Sequence, residues 1–357
     1  MNTDFTKTRA SKIIIIGAAL VIIAAGMNAA QSLIVPFLLA AFIAIICSPP
    51  LIFLQRKGFP AWLALVVVIL GIAVIGSLVA IVIGTSINDF TDKIPHYQAR
   101  LQITIDNLQQ WMSNRGITIS EETISEYLNV SAIFELVKNV LAGMGGILTN
   151  GFLIILTIIF VLLEASSMPS KIKAAFGNYD STSYYINKFI SKVKKYMAIK
   201  SLASLATGII ITIWLIILDV DFPLLWGLVA FMLNFVPNIG SIIAAIPAIM
   251  LSYLQIGFGS ALLTTIGYLT VNVVIGNFIE PRYMGKGLGL STLVVFTSLV
   301  FWGFILGPIG MFLSVPLTMT LKIALQSNPN TRWLAILLGD ETLDDLEHKD
   351  IEVSAKN

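Results

Sequence analysis

Two amides, a carboxylate and a guanidinium, those of Asn272, Asn277, Glu280 and Arg282, stand just ahead of a glycine-rich run, Met284-Gly-Lys-Gly-Leu-Gly-Leu-Ser-Thr292, with long apolar runs on either side. In a bilayer, polar side chains and unwound backbone are costly unless protein or a water-filled cavity surrounds them, so the stretch is a candidate functional site. Its chemistry is that of recognition. An asparagine amide both donates and accepts hydrogen bonds, which suits a polyhydroxylated, uncharged solute; Asn234 and Asn238, in an earlier break of the chain, add two more such groups. A carrier that exchanges cations for protons needs carboxylates that change protonation within the membrane, and Glu280 is the one strong candidate. Arg282, two residues on, is expected to hold Glu280 ionised as a structural pair.

Catalysis finds little support. The chain has two histidines, His96 and His348, both outside the apolar runs, so neither an intramembrane Ser/His site nor an HExxH zinc site can be assembled. Gly285-Lys-Gly287 lacks the Ser/Thr and the spacing of a phosphate-binding loop and follows no predicted strand. The reading is therefore of a protein that is not an enzyme, with no cofactor and no metal. The single Cys47 rules out an intrachain disulfide.

The elements that must position these residues are membrane helices. The chain is 57% hydrophobic and only 12% charged, with a mean hydropathy of +0.89, against about 25% charged residues in an ordinary globular protein. This is an all-α polytopic membrane protein with about eight membrane-embedded elements and a small helical cap. Residues 1–86 are read as N-terminal membrane helices: an uncleaved first span at 13–30, a second run at 33–47 stopped by Ser48-Pro49-Pro50, and a third at 61–85. Residues 87–146 form the cap, whose helices cover the rest or pack on a neighbouring subunit. Residues 147–200 return as a membrane helix and basic interfacial helices, 201–325 form a transport core, and 326–357 are an acidic tail.

Within the core, the runs 224–236 and 242–254 are each too short to span and are separated by Pro237-Asn-Ile-Gly240. The runs 290–306 and 311–325 repeat the arrangement around Gly307-Pro308-Ile-Gly310, and a further proline follows each break, Pro247 and Pro316. Paired interrupted segments of opposite orientation point to the midplane site of a secondary transporter, so Pro237, Gly240, Gly307, Pro308 and Gly310 join the candidate residues. Packing of small residues between helices is the plainer alternative.

Charge sets the orientation. Lys7, Arg9, Lys12, Arg56, Lys57, Arg282, Lys286 and a lysine-rich stretch (171, 173, 188, 192, 194, 195, 200) recur between spans, whereas 87–146 is acidic. Both termini are therefore expected in the cytoplasm and the cap outside. Ile186, Phe189, Ile190, Val193 and Met197 form an apolar stripe opposite Lys188, Lys192 and Lys195, as in a helix lying on anionic lipid. The positive-inside rule accounts for these lysines without nucleic-acid binding.

Several long motifs in order, Asn234-Phe-Val-Pro-Asn-Ile-Gly-Ser241, Asn277-Phe-Ile-Glu-Pro-Arg282, the glycine-rich run to Thr292, and Gly307-Pro-Ile-Gly310 with Val315-Pro316, resemble the signature of the autoinducer-2 exporter family. Ile34-Val-Pro-Phe37 and Pro95-His-Tyr97 extend the likeness over most of the chain. The resemblance implies a bacterial inner-membrane exporter of autoinducer-2, a quorum signal, assembled as a homo-oligomer, a pentamer by the family pattern. The family also includes proteins assigned to sodium or lithium efflux against protons, and the residues favour the uncharged solute over the ion.

Overall fold

The computed structural model describes residues 9–115, 150–165, 171, 180–237, 239–284, 289–326 and 331–339. Among them every regular element is helical: α1 Arg9–Ala29, α2 Gln31–Arg56, α3 Ala61–Ser113, α4 Gly151–Ala165, α5 Asp180–Ile217, α6 Pro223–Leu233, α7 Ile239–Gln255, α8 Phe258–Asn272, a π-helical turn Val273–Ile279, α9 Glu280–Met284, α10 Thr292–Gln326 and α11 Arg332–Leu337. Among the described residues, four unbroken stretches are long and apolar enough to cross a membrane, Gln31–Arg56, Ala61–Asn107, Ile190–Ile217 and Phe258–Met284; a fifth, Thr292–Gln326, has the length and hydropathy but is interrupted at Gly307. On α3, Val74, Leu78 and Ile81 are each more than half exposed. In water such a face is an aggregation site; in a bilayer it is the lipid surface of a spanning helix.

The backbone departs from the sequence expectation in three places. Pro49 and Pro50 do not stop α2, which continues to Arg56. The proline ring fixes φ near a helical value, so it costs hydrogen bonds and crowds the preceding turn but does not forbid the helix; both prolines are exposed. The expected boundaries at 86/87 and 200/201 both fall inside continuous helices, α3 and α5. A change from apolar to polar residues marks where the surroundings change, and neither site has a glycine or proline to end the helix. Of the expected cap, residues 116–149 lie outside the described residues, as do the lysine at 286 and the acidic residues beyond 339.

The chain divides into two compact units built from interleaved segments. The first comprises Met1–Ile46, Leu156–Val193 and Leu288–Asn357. Its centre is α10, which folds back on itself at Gly307, whose φ of 66° and ψ of −154° are open only to glycine at low cost. The Trp302 indole donates to Thr318 Oγ1 at 2.9 Å across sixteen residues, which in a straight helix would stand ~24 Å apart. Asn28 of α1 donates to the carbonyls of Phe304 and Ile305, at 2.9 and 3.2 Å, satisfying groups that the break sets free. Gln31 also approaches: a β-carbon on Gly307 would lie 2.6 Å from its amide nitrogen. Ser291 caps the start of α10 by accepting from the Val294 N–H, and the buried Lys322 donates to the Gly289 carbonyl.

The second unit comprises Cys47–Ile155 and Lys194–Gly287. Ile211, Leu215, Leu225, Trp226, Val229 and Leu251 form its core. Gly208 and Gly227 let α5 and α6 approach closely; a β-carbon on Gly227 would lie 2.7 Å from the Gly208 carbonyl oxygen. Between α5 and α6 the chain turns through Asp219 and Phe222, both with positive φ. Asp221, between them, accepts from Tyr97 at 2.6 Å and Lys93 at 2.9 Å, both on α3. Burial alone raises the Asp221 carboxyl, but the Tyr97 hydroxyl and the Lys93 ammonium outweigh it and hold the group below the ordinary carboxylate range. Gln255 bonds to the backbone of Asp219 and Asp221, and Arg100 reaches the Gln255 carbonyl, so α3, the turn and the end of α7 are tied together.

Candidate transport site

One face of α5 carries Tyr196, Lys200, Ser204 and Thr207, all buried. Spacings of four, four and three residues align them along one stripe, in a helix whose opposite face includes the exposed Leu202, Leu205 and Ile209. Thr207 spends its hydroxyl on the Ala203 carbonyl one turn back, at 3.0 Å. The other three turn towards neighbours.

Lys200 meets Glu280. Its ammonium donates to both carboxylate oxygens, at 2.8 and 3.0 Å, and the two residues are 7% and 9% exposed. The π-helical turn positions the acid: the Glu280 N–H donates to the Ile275 carbonyl, five residues back, so the helix is locally underwound just before it. Such turns re-aim the residues that follow them and recur at functional sites. Tyr196, one turn before Lys200, lies within reach of the Glu280 charge.

One turn further along α5, about 6 Å of rise, Ser204 accepts from the Asn234 amide at 2.9 Å. Asn234 closes α6, and the turn after it is held by Val236 N–H to the Leu233 carbonyl at 2.9 Å and Gly240 N–H to the Val236 carbonyl at 3.2 Å. Gly240 is buried against backbone, since a β-carbon there would overlap the Leu233 carbonyl oxygen. Gly310 of α10 has the same relation to the Trp302 carbonyl oxygen.

The residues singled out in the sequence therefore separate. Asn234 and Glu280 are buried beside α5; Asn272 and Pro237 are half-buried, and Asn277 and Arg282 are exposed. Asn238 lies outside the described residues. Gly307, Pro308 and Gly310 belong to the other unit, respectively half-buried, exposed and buried.

The expected Glu280–Arg282 pair is replaced by Glu280–Lys200. Residues two apart on a helix point about 200° away from each other, so Arg282 faces outward when Glu280 faces in. Lys200, Ser204 and Tyr196 do not stand out when the lysine-rich stretch is taken as one interfacial group. A signal existed: Lys200 falls seven residues after Val193 and three after Met197, on the apolar stripe and not opposite it.

Two further hydroxyls, of Ser201 and Tyr268, are buried with no partner among the described residues. No group of three His, Cys, Asp or Glu side chains there is placed to hold a metal ion.

Apolar crossing helices, a hairpin turned ahead of Ile239 and another broken at Gly307, and, within the second unit, a buried charged pair and a buried amide–hydroxyl pair define a multi-pass α-helical membrane protein with a polar interior, the class in which membrane transporters fall. The chain belongs to the AI-2E transporter family, whose model matches residues 15–330. It is 43% identical to a transport protein of Haemophilus influenzae, over 90% of this chain and 94% of that one. Identity to the AI-2 transport protein TqsA of Escherichia coli is 40%, over 92% and 96%. The Escherichia coli transport protein YhhT is 35% identical, over 90% and 92%.

Proposed function

We propose that the chain is a secondary transporter that exports a small, polar, uncharged signalling molecule, autoinducer-2 before others, across a bacterial inner membrane. The observation that carries the reading is the neutral character of the buried site. Lys200 and Glu280 cancel each other's charge, and the neighbouring pair, Asn234 and Ser204, is an amide and a hydroxyl. These groups recognise hydroxyl and carbonyl oxygens. The 40% identity to a protein named for AI-2 transport agrees with this chemistry.

The solute passes Asn234 and Glu280, buried beside α5 in the second unit. The turn ahead of Gly240 and the break at Gly307 are the moving or solute-facing parts of their respective units. Both termini and the lysine-rich segment face the cytoplasm, the acidic segment 87–146 is a cap outside, and the working assembly is a homo-oligomer, a pentamer by the family pattern. Purified protein in proteoliposomes loaded with autoinducer-2 tests the reading, with proton and sodium gradients imposed one at a time. Efflux above that of protein-free vesicles is expected. Exchange of sodium for protons with no movement of autoinducer-2 overturns it in favour of an ion antiporter.

A further inference from the structure

The Lys200–Glu280 pair is buried on both sides, and its ammonium spans both carboxylate oxygens. A carboxylate at this depth is tolerated only with a compensating positive charge. In an ion-coupled carrier that charge arrives from solution, as a proton or a metal cation, and leaves again on the other side. Here it is covalently part of α5. Among the described residues, other charged or titratable groups nearby do not compete: Tyr196 on α5 is uncharged when protonated, Arg282 and Tyr283 on the acid's own helix are exposed, and Asn234 is neutral.

We propose that the Lys200 ammonium is a built-in counter-ion: it takes the place beside Glu280 that a coupling cation would occupy, and so frees the passage of a neutral solute from obligatory cation movement through this site. The inference rests on the neutral-solute reading and adds to it a residue that decides whether ions are coupled. It follows that removing the ammonium alone creates a vacancy for a cation. Lys200→Met leaves the Glu280 carboxylate to draw a proton or a sodium ion from solution. Lys200→Met with Glu280→Gln removes both charges and the vacancy with them. Lys200→Arg keeps the pair.

The test uses the full chain in proteoliposomes, with autoinducer-2 efflux, internal pH and radioactive sodium uptake recorded separately. Wild type and Lys200→Arg are expected to release solute at rates that differ little between mildly acidic and mildly alkaline buffer, with or without sodium. Lys200→Met is expected to show cation uptake several-fold above wild type and a matching dependence of efflux on pH or sodium. The double variant is expected to lose both. A folded Lys200→Met protein as indifferent to protons and sodium as wild type overturns the proposal, and so does wild-type efflux that proceeds only in step with a cation. Absence of wild-type efflux under every condition counts against the neutral-solute reading instead; the cation readouts of Lys200→Met, which need no solute, still decide the counter-ion. Should Lys200→Met fail to fold, the infrared difference between wild type and the double variant decides. A carboxylate band constant with pH supports the proposal; a carboxylic-acid band overturns it.

Discussion

The two broken hairpins solve one problem in opposite ways. Each leaves backbone groups without helical partners at a depth where water does not supply them. The α6–α7 hairpin repairs itself, since its turn residues bond to one another and its polar side chain, Asn234, is spent outward on Ser204. The α10 hairpin breaks at one glycine and relies on Asn28, delivered by α1, for its Phe304 and Ile305 carbonyls. A self-sufficient break can offer its amide to something else; a break that borrows its donor cannot change shape without disturbing the lender.

The sharpest way to break the likeness between the hairpins is to fill the two glycines that pack on backbone. Gly240→Leu and Gly310→Leu are each expected to abolish efflux, because their side chains overlap the Leu233 and Trp302 carbonyl oxygens. Membrane insertion, which follows summed hydrophobicity, should persist. Surface labelling and efflux from the same vesicles check this, and loss of efflux in one variant alone would show that only one hairpin moves or faces solute.

A smaller effect sharpens the difference. Asn28→Leu strands two carbonyls, at a cost of about 1–3 kcal/mol for each group left unsatisfied. Asn234→Leu strands only the Ser204 hydroxyl, which can turn to its own helix's carbonyls. Asn28→Leu should therefore lower the melting temperature of the purified protein more, and Asn234→Leu should lower efflux more. Equal losses in both measurements would erase the distinction between a self-repaired and a borrowed break.

The smallest expected effect separates the hairpins by pH. Asp221 ties the start of the α6–α7 hairpin to α3, and its folded value is depressed below 3.8. A depressed acid contributes stability that is complete above its unfolded value and lost as pH falls through the folded one. The contribution is about 1 kcal/mol or less, since Lys93 is 47% exposed and solvent screens the pair. Hydrogen exchange should quicken around 219–222 only below the ordinary carboxylate range, with α10 unchanged, and Asp221→Asn should remove that step.

Much of this architecture was legible because glycine and proline act locally. An interruption next to Pro237 and the break at Gly307 could be read from single residues, although the turn lies at 234–237 and Gly240 itself sits inside α7. Pro49-Pro50 shows the limit, since a proline states a cost and the surroundings decide whether the helix bears it. The site was harder. Asn234 and Glu280 were found as polar residues in apolar company, but their partners Ser204 and Lys200 lie 30 and 80 residues away, and no spacing rule reaches that far. Arg282 was the nearer charge and the wrong one, because the helix turns neighbours two apart to different sides.

The length of α3 has a mechanical consequence. Its 53 residues make a helix of ~80 Å, and crossing the hydrocarbon takes only about 20 of them, so roughly 50 Å projects beyond. Lys93, Tyr97 and Arg100 grip the arm part of the way along it, so its free end is the length beyond Arg100, ~20 Å of helix. A change of tilt of about 10°, modest for a transmembrane helix, moves that end by only ~3 Å.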